Sequence, residues 1–212
     1  MMLAPLALWI VGLTTAPVEY VVLRAGLEAG SASLSQSIRD DGTKDVALSL
    51  NLSTPDGRKV TTRTKSVYAP DGRALRREQD VTLDSPRWIR SVIATFTAGG
   101  ANVVVVENEK RSVHNIPLVR TAPLANPSEF WFMPGKPVAG TSVQSYSLDL
   151  ETLVWEPTRT TYVGPATLTL HGESLAAHRV DSRQGTVWID DAGFPLVIEG
   201  SQFRLERRRS RP

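Results

Sequence analysis

Three Asp-Gly pairs, Asp41-Gly42, Asp56-Gly57 and Asp71-Gly72, fall 15 residues apart, each between runs rich in Val, Leu and Thr. Asp-Gly suits a hairpin turn because both central positions can take positive φ at little cost. A chain that turns this often has no room for long helices. Between the turns apolar and polar residues alternate: Val46, Leu48, Leu50 and Leu52 fall on one face, and Ala47, Ser49, Asn51 and Ser53 on the other. Leu75, Val81 and Leu83 share a face in the same way, interrupted by Arg77 and Gln79. Val103 to Val106 is apolar on both sides, which predicts a strand covered on both faces. No run between Pro17 and Arg211 keeps a 3.6-residue apolar period.

The second half repeats the style. Val143 to Val154, Arg159 to Val163, Ala166 to Leu170, Ser174 to Asp181, Thr186 to Asp190, Leu196 to Glu199 and Gln202 to Arg207 read as strands. His171-Gly172, Gln184-Gly185 and Asp191-Ala192-Gly193 are the turns between them. The stretch Arg120 to Pro137 differs, with Pro123, Pro127, Pro134 and Pro137 around Phe130, Trp131 and Phe132. Proline removes ladder donors, so this is a crossing loop, or a short helix capped by Asn126 with Pro127 in its first turn. The fold expected is all-β: one strongly curved antiparallel sheet, a half-barrel or incomplete barrel, with this Pro-rich segment as its cover. All-β domains of about 200 residues are common, so residues 17–206 are read as one domain, between a leader at 1–16 and a basic tail at 207–212.

Leu3 to Leu13 carries no charge and ends near small residues Thr14 and Ala16, the pattern of an export signal. It is too short to span a bilayer, which takes about 20 residues. The expected location is therefore periplasmic or extracellular, with no transmembrane span in the mature chain. Cysteine is absent, which excludes disulfides, thiol nucleophiles and a lipid-modified cysteine. The formal charge of +2 comes from the tail. Of 24 Lys and Arg, four are Arg207, Arg208, Arg209 and Arg211, leaving 20 against 22 Asp and Glu. A nucleic-acid partner needs a clustered basic face that this body does not supply.

Residues with catalytic chemistry are sparse. His114, His171 and His178 form no metal-spaced pair, and the acidic pairs Asp40-Asp41 and Asp190-Asp191 sit at turns without the spacing of a calcium loop. There is no nucleophile elbow, P-loop, dinucleotide fingerprint or zinc-protease motif. No metal or cofactor is expected, and no catalytic residue stands out. Phe130, Trp131 and Phe132 are the candidate binding residues: a bulky apolar loop either plugs a barrel mouth or gates a ligand cavity. Trp88, Trp155 and Trp188 fall within strands and read as core.

The runs Tyr162-Val163-Gly164-Pro165, Leu168 to Gly172, Ala177 to Val180 and Val187 to Leu196, with Glu19-Tyr20 to Gly30-Ser31 as a first hairpin, resemble exported bacterial curved-sheet proteins. That group is similar in architecture to the lipoprotein-localisation carriers. The resemblance implies an incomplete barrel around an apolar groove; no ligand-binding residue transfers with it. The sequence thus points to a non-catalytic envelope protein that binds a lipid or other apolar molecule. The alternatives are a module that docks another envelope protein through its sheet edges and, third, an enzyme assembled from scattered polar residues.

Overall fold

Strands that bury only one face need a covering layer, and in this protein the sheet covers itself. The computed structural model describes residues 16–118, 137–191 and 193–209, and every regular element among them is a strand. The first eight are β1 (Val18–Arg24), β2 (Leu27–Ile38), β3 (Lys44–Ser53), β4 (Lys59–Tyr68), β5 (Ala74–Leu83), β6 (Trp88–Thr97), β7 (Gly100–Glu107) and β8 (Lys110–Pro117). Six more follow: β9 (Ser142–Leu148), β10 (Trp155–Leu170), β11 (Glu173–Ser182), β12 (Gly185–Ile189), β13 (Pro195–Gly200) and β14 (Arg204–Arg207).

All fourteen lie in one sheet, in the order β8-β7-β6-β5-β4-β3-β2-β1-β14-β13-β12-β11-β10-β9. Neighbours in sequence are neighbours in space, as short hairpins require. The exception is the central pair, where β1 runs antiparallel to β14 with Tyr20 opposite Arg207. That contact joins the two halves of the chain and leaves β8 and β9 as the edges. The edges are not hydrogen-bonded to each other, so the sheet is not a closed barrel.

The sheet curls instead. Its inner face gathers Tyr20 and Val22 of β1, Leu34 of β2 and Leu50 of β3 into one core with Val180, Ile189 and Ile198 from the C-terminal half. A second core forms where Leu148, at the end of β9, and Leu150 pack on Val92, Ala94 and Val103 of β6 and β7. The roll therefore continues until one edge tucks against the inner face near the other. Phe96 and Trp155 meet across this seam with ring centroids 6.0 Å apart.

The Asp-Gly turns stand where the spacing puts them, with different internal geometry. The Gly57 N–H donates to the Thr54 carbonyl at 2.9 Å, and the Thr54 N–H to the Arg58 carbonyl at 2.8 Å. Gly42 and Gly72 repeat this with Arg39 and Ala69, and Gly193 with Asp190. These are three-residue loops, a tight turn followed by one left-handed residue, so positive φ is needed at glycine and not at the aspartate. Pro55 and Pro70 take the first loop position, where a fixed φ is an advantage. Around Asp71 the Arg73 side chain and backbone N–H hold the carboxyl below its usual range against a small opposing effect of burial. Gly57 has φ of +81° and nothing near where a Cβ would stand. Gly57→Ala is therefore expected to cost about 1 kcal/mol, from backbone strain alone, read as a lower urea midpoint at constant slope.

Four expectations change. Leu75 is not on the shared face: Arg76 pairs with Val67 and Ala74 with Tyr68, so Leu75 is the extra residue of a bulge and is exposed. Val104 and Val106 are only half-buried, so β7 is fully covered on one face. Residues read as two strands are the single 16-residue β10, and the strand expected to reach Val154 stops at Leu148. Finally, the basic tail is tied down. Arg207 belongs to β14 and pairs with Asp190 at 2.8 Å, Arg208 pairs with Glu28 at 3.0 Å, and Arg209 pairs with Glu173.

Candidate functional site

The inner face of β3, β4, β5 and β6 does not fill completely. It encloses a cavity of about 580 Å³, within the range of about 300–1,000 Å³ typical of small-molecule sites. Register explains its lining. Four cross-strand rows point inward: Val46, Ser66 and Arg77; Leu48, Thr64 and Gln79; Leu50, Thr62, Val81 and Arg90; and Val60, Leu83 and Trp88. The β3 side of the wall is aliphatic. β4 contributes short hydroxyls, and β5 changes from polar to apolar along its length. Asp149, Leu150 and Glu151, in the turn after β9, complete the lining, held by a 3.2 Å hydrogen bond from Arg90 Nη2 to the Glu151 carbonyl.

Three arginines stand in this wall: Arg77 and Arg90 are buried, and Arg58, paired with Asp56 at 2.7 Å, is half-buried. Arg77 Nε and Nη2 lie 3.4 Å from Ser66 Oγ and Tyr68 Oη, and its guanidinium carbon is 5.9 Å from the Phe96 ring centre. Arg90 Nε is 3.8 Å from Glu107 Oε2, while Glu107 Oε1 accepts from Trp88 Nε1 at 3.1 Å. Thr62 Oγ1, midway along the wall, is buried without a hydrogen-bond partner among the described residues. A bound molecule with a polar atom there would complete it.

Phe130, Trp131 and Phe132 lie outside the described residues, as does the helix expected near Pro127. The residues that line the cavity were visible only as an irregularity: Arg77 and Gln79 break an apolar face, and a polar pair on a core-facing stripe is the one sequence signal of a site there. Trp88, Trp155 and Trp188 are half-buried, and Trp155 and Trp188 pack against core clusters, as strand residues read as core should. Trp88 alone faces the cavity.

The histidines are scattered. His114 Nε2 meets Ser112 Oγ at 2.9 Å on β8, and His171 Nε2 meets the Arg207 carbonyl at 2.7 Å. His178 sits between Tyr162 Oη, 2.8 Å from its Nδ1, and Asp191 Oδ1, 3.1 Å from its Nε2. With the proton on Nε2, the tyrosine donates to Nδ1 and the imidazole donates to the carboxylate. This chain pins β10, β11 and the turn after β12. It lies outside the cavity, and the Asp191 side chain is 86% exposed. Asp190 serves its own turn, its Oδ1 accepting the Phe194 N–H at 2.8 Å. Among the described residues no three of His, Asp or Glu converge as metal ligands would.

The curled, unclosed sheet can be set beside known structures. The fold has a solved counterpart. The crystal structure of a beta-barrel-like protein of the domain of unknown function DUF1849 from Brucella abortus superposes with a TM-score of 0.61. The match covers 94% of this chain and 98% of the Brucella protein at 8% sequence identity. At that identity the likeness is one of fold. No protein-family model matches the sequence, and no curated protein does. The expected curved-sheet, barrel-like architecture thus stands, while the likeness to lipoprotein carriers gains no support from these comparisons. No helix among the described residues is long and apolar enough to cross a membrane.

Proposed function

We propose that this is a non-catalytic binding protein of the cell envelope, exported by residues 1–16, that holds a lipid or other apolar molecule inside its curled sheet. The cavity under β3 to β6 carries the reading. It is roomy, aliphatic along Leu48, Leu50, Val60, Val81 and Leu83, and furnished with a few convergent polar groups. That combination is the usual make-up of a ligand site.

The test is uptake of 1-N-phenylnaphthylamine, a neutral dye that brightens in apolar surroundings. The protein is expected to bind it, and Thr64→Trp, which puts an indole into the cavity from a half-buried position on β4, is expected to weaken uptake at least tenfold. No uptake by the parent protein, or equal uptake by the variant, would overturn the reading. In that case the docking alternative moves ahead on a separate observation. β8 pairs only with β7 among the described strands and exposes 63% of Val113 beside Lys110 and Arg111, an edge open to strand addition.

A further inference from the structure

The open edge of β8 matches its own reverse. β7 and β8 join through a two-residue loop in which Asn108 and Glu109 both take positive φ. Such a loop closes on a hydrogen-bonded pair, here Glu107 and Lys110. Antiparallel pairs then alternate, and at every second residue the N–H and C=O point away from the partner strand. Arg111, Val113 and Asn115 are those residues, and the Leu118 N–H on the Gly99 carbonyl at 2.8 Å keeps the alternation in step at the far end. No described strand meets that side of β8, and all three side chains are exposed. Lys110 and Pro117, residue types that blunt a sheet edge, stand at its two ends and leave the middle open. The other edge is different: Leu148 of β9 is buried against β6 and β7.

Turned antiparallel about Val113, a second β8 sets every outward-pointing residue against another. Val113 meets the partner's Val113, and Arg111 meets the partner's Asn115. Lys110 falls opposite the partner's Ile116 and Ser112 opposite the partner's His114, so no two cations face each other. Centring the pair on Ser112 or on His114 leaves Asn115 or Arg111 without a counterpart among the three. The outward aliphatic row of Ile93, Val104 and Val113 also continues into the same row reversed, with two β-branched side chains directly opposed. We propose that two copies of this chain pair antiparallel through β8, about a twofold axis at Val113, so that one sheet runs on into the next. Such a pairing is closed and uses up this edge on both copies. It owes nothing to the cavity, and its test involves no bound molecule.

Sedimentation velocity of the whole chain from about 1 µM to about 200 µM, the span expected for so small an interface, should show monomer passing to dimer and no further. Val113→Lys, which opposes two like charges, is expected to weaken the dimer at least tenfold, and Asn115→Glu, which faces the partner's Arg111 with an anion, to strengthen it about fivefold. Both positions are exposed, so circular dichroism should match the parent. The chain has no cysteine, so one introduced thiol reports the register. Residues opposed in a hydrogen-bonded pair have Cα atoms about 5.5 Å apart, within disulfide reach. The two copies of residue 111 stand about 14 Å apart at the usual strand rise. Val113→Cys is therefore expected to oxidise readily to a covalent dimer, and Arg111→Cys at least tenfold more slowly. Monomer throughout, a dimer indifferent to Val113→Lys, growth beyond the dimer, or equal cross-linking of the two cysteine variants each overturns the proposal.

Discussion

Gly30→Ala is expected to destabilise the protein by about 3 kcal/mol or more, a large loss for one methyl group. A Cβ at Gly30 would stand 1.9 Å from the Asn51 carbonyl oxygen and 3.0 Å from the Leu52 Cα. Both are backbone atoms of the partner strand, so no side chain can swing away to make room. Gly30 lies opposite Val22 on one side and Leu52 on the other, beside the bulge where β1 slips relative to β2. Relief therefore requires pulling apart the ladder between β2 and β3, near the middle of the sheet. Gly57→Ala, in open space, measures conformational strain alone and makes a matched control. Urea unfolding of the two variants should give losses differing by about 2 kcal/mol or more, with hydrogen exchange in β2 and β3 accelerated only for Gly30→Ala. Equal losses would mean the two strands do not approach so closely at Gly30.

What could be read from the sequence was local. The Asp-Gly loops follow from three or four adjacent residues each, and the faces of β3 follow from strict alternation, so both were legible. Bulges are not legible in that way. One extra residue at Leu75 moves a leucine off the core face, and the register slip in β10 between Tyr162 and Gly164 exchanges the faces of that strand. Before the slip Thr158, Thr160 and Tyr162 are buried; after it Leu168 and Leu170 pack in a separate cluster with Ala177 and Val197. Proline misled in the same region. Pro157 precedes the β11 ladder, which starts at Thr160, and Pro165 lies beyond the β9 ladder, which ends at Thr161. Each sits where one side of β10 lacks a partner among the described strands, so a missing N–H is tolerated and one long strand reads as two.

The cavity was legible to the same limited extent. Arg77 and Gln79 showed that one apolar face is broken. Which residues answer Arg77, Ser66 and Tyr68 from one neighbour and Phe96 from the other, depends on register between strands that no single stretch of sequence encodes. The aromatic trio Phe130, Trp131 and Phe132 drew attention because bulky apolar residues in a loop need a reason. Among the described residues the space over β6 and β7 is filled by Leu148, Leu150 and Trp155, from a turn whose sequence is unremarkable.

That turn supplies the second large effect. Leu148→Ala is expected to cost about 2–5 kcal/mol, the usual range for truncating a buried leucine. Leu148 is 1% exposed and packs on Val92 and Val103, which reach it from the other limb of the roll. The contact is long-range, and no hydrogen-bonded ladder joins β8 to β9 to hold the seam once it loosens. The cost should therefore lie toward the upper part of that range if the site cannot collapse, and toward the lower part if the turn settles inward. The same turn carries Leu150 and the Glu151 carbonyl that accepts from Arg90, so its loosening should also change dye uptake by the cavity. Val113→Ala, on the exposed edge strand β8, is the control and should stay within about 0.5 kcal/mol of the parent. Urea midpoints for the two variants decide the matter. If Leu148→Ala costs no more than Val113→Ala, the end of β9 does not pack against β6 and β7 in solution, and the sheet is open where the structure rolls it shut.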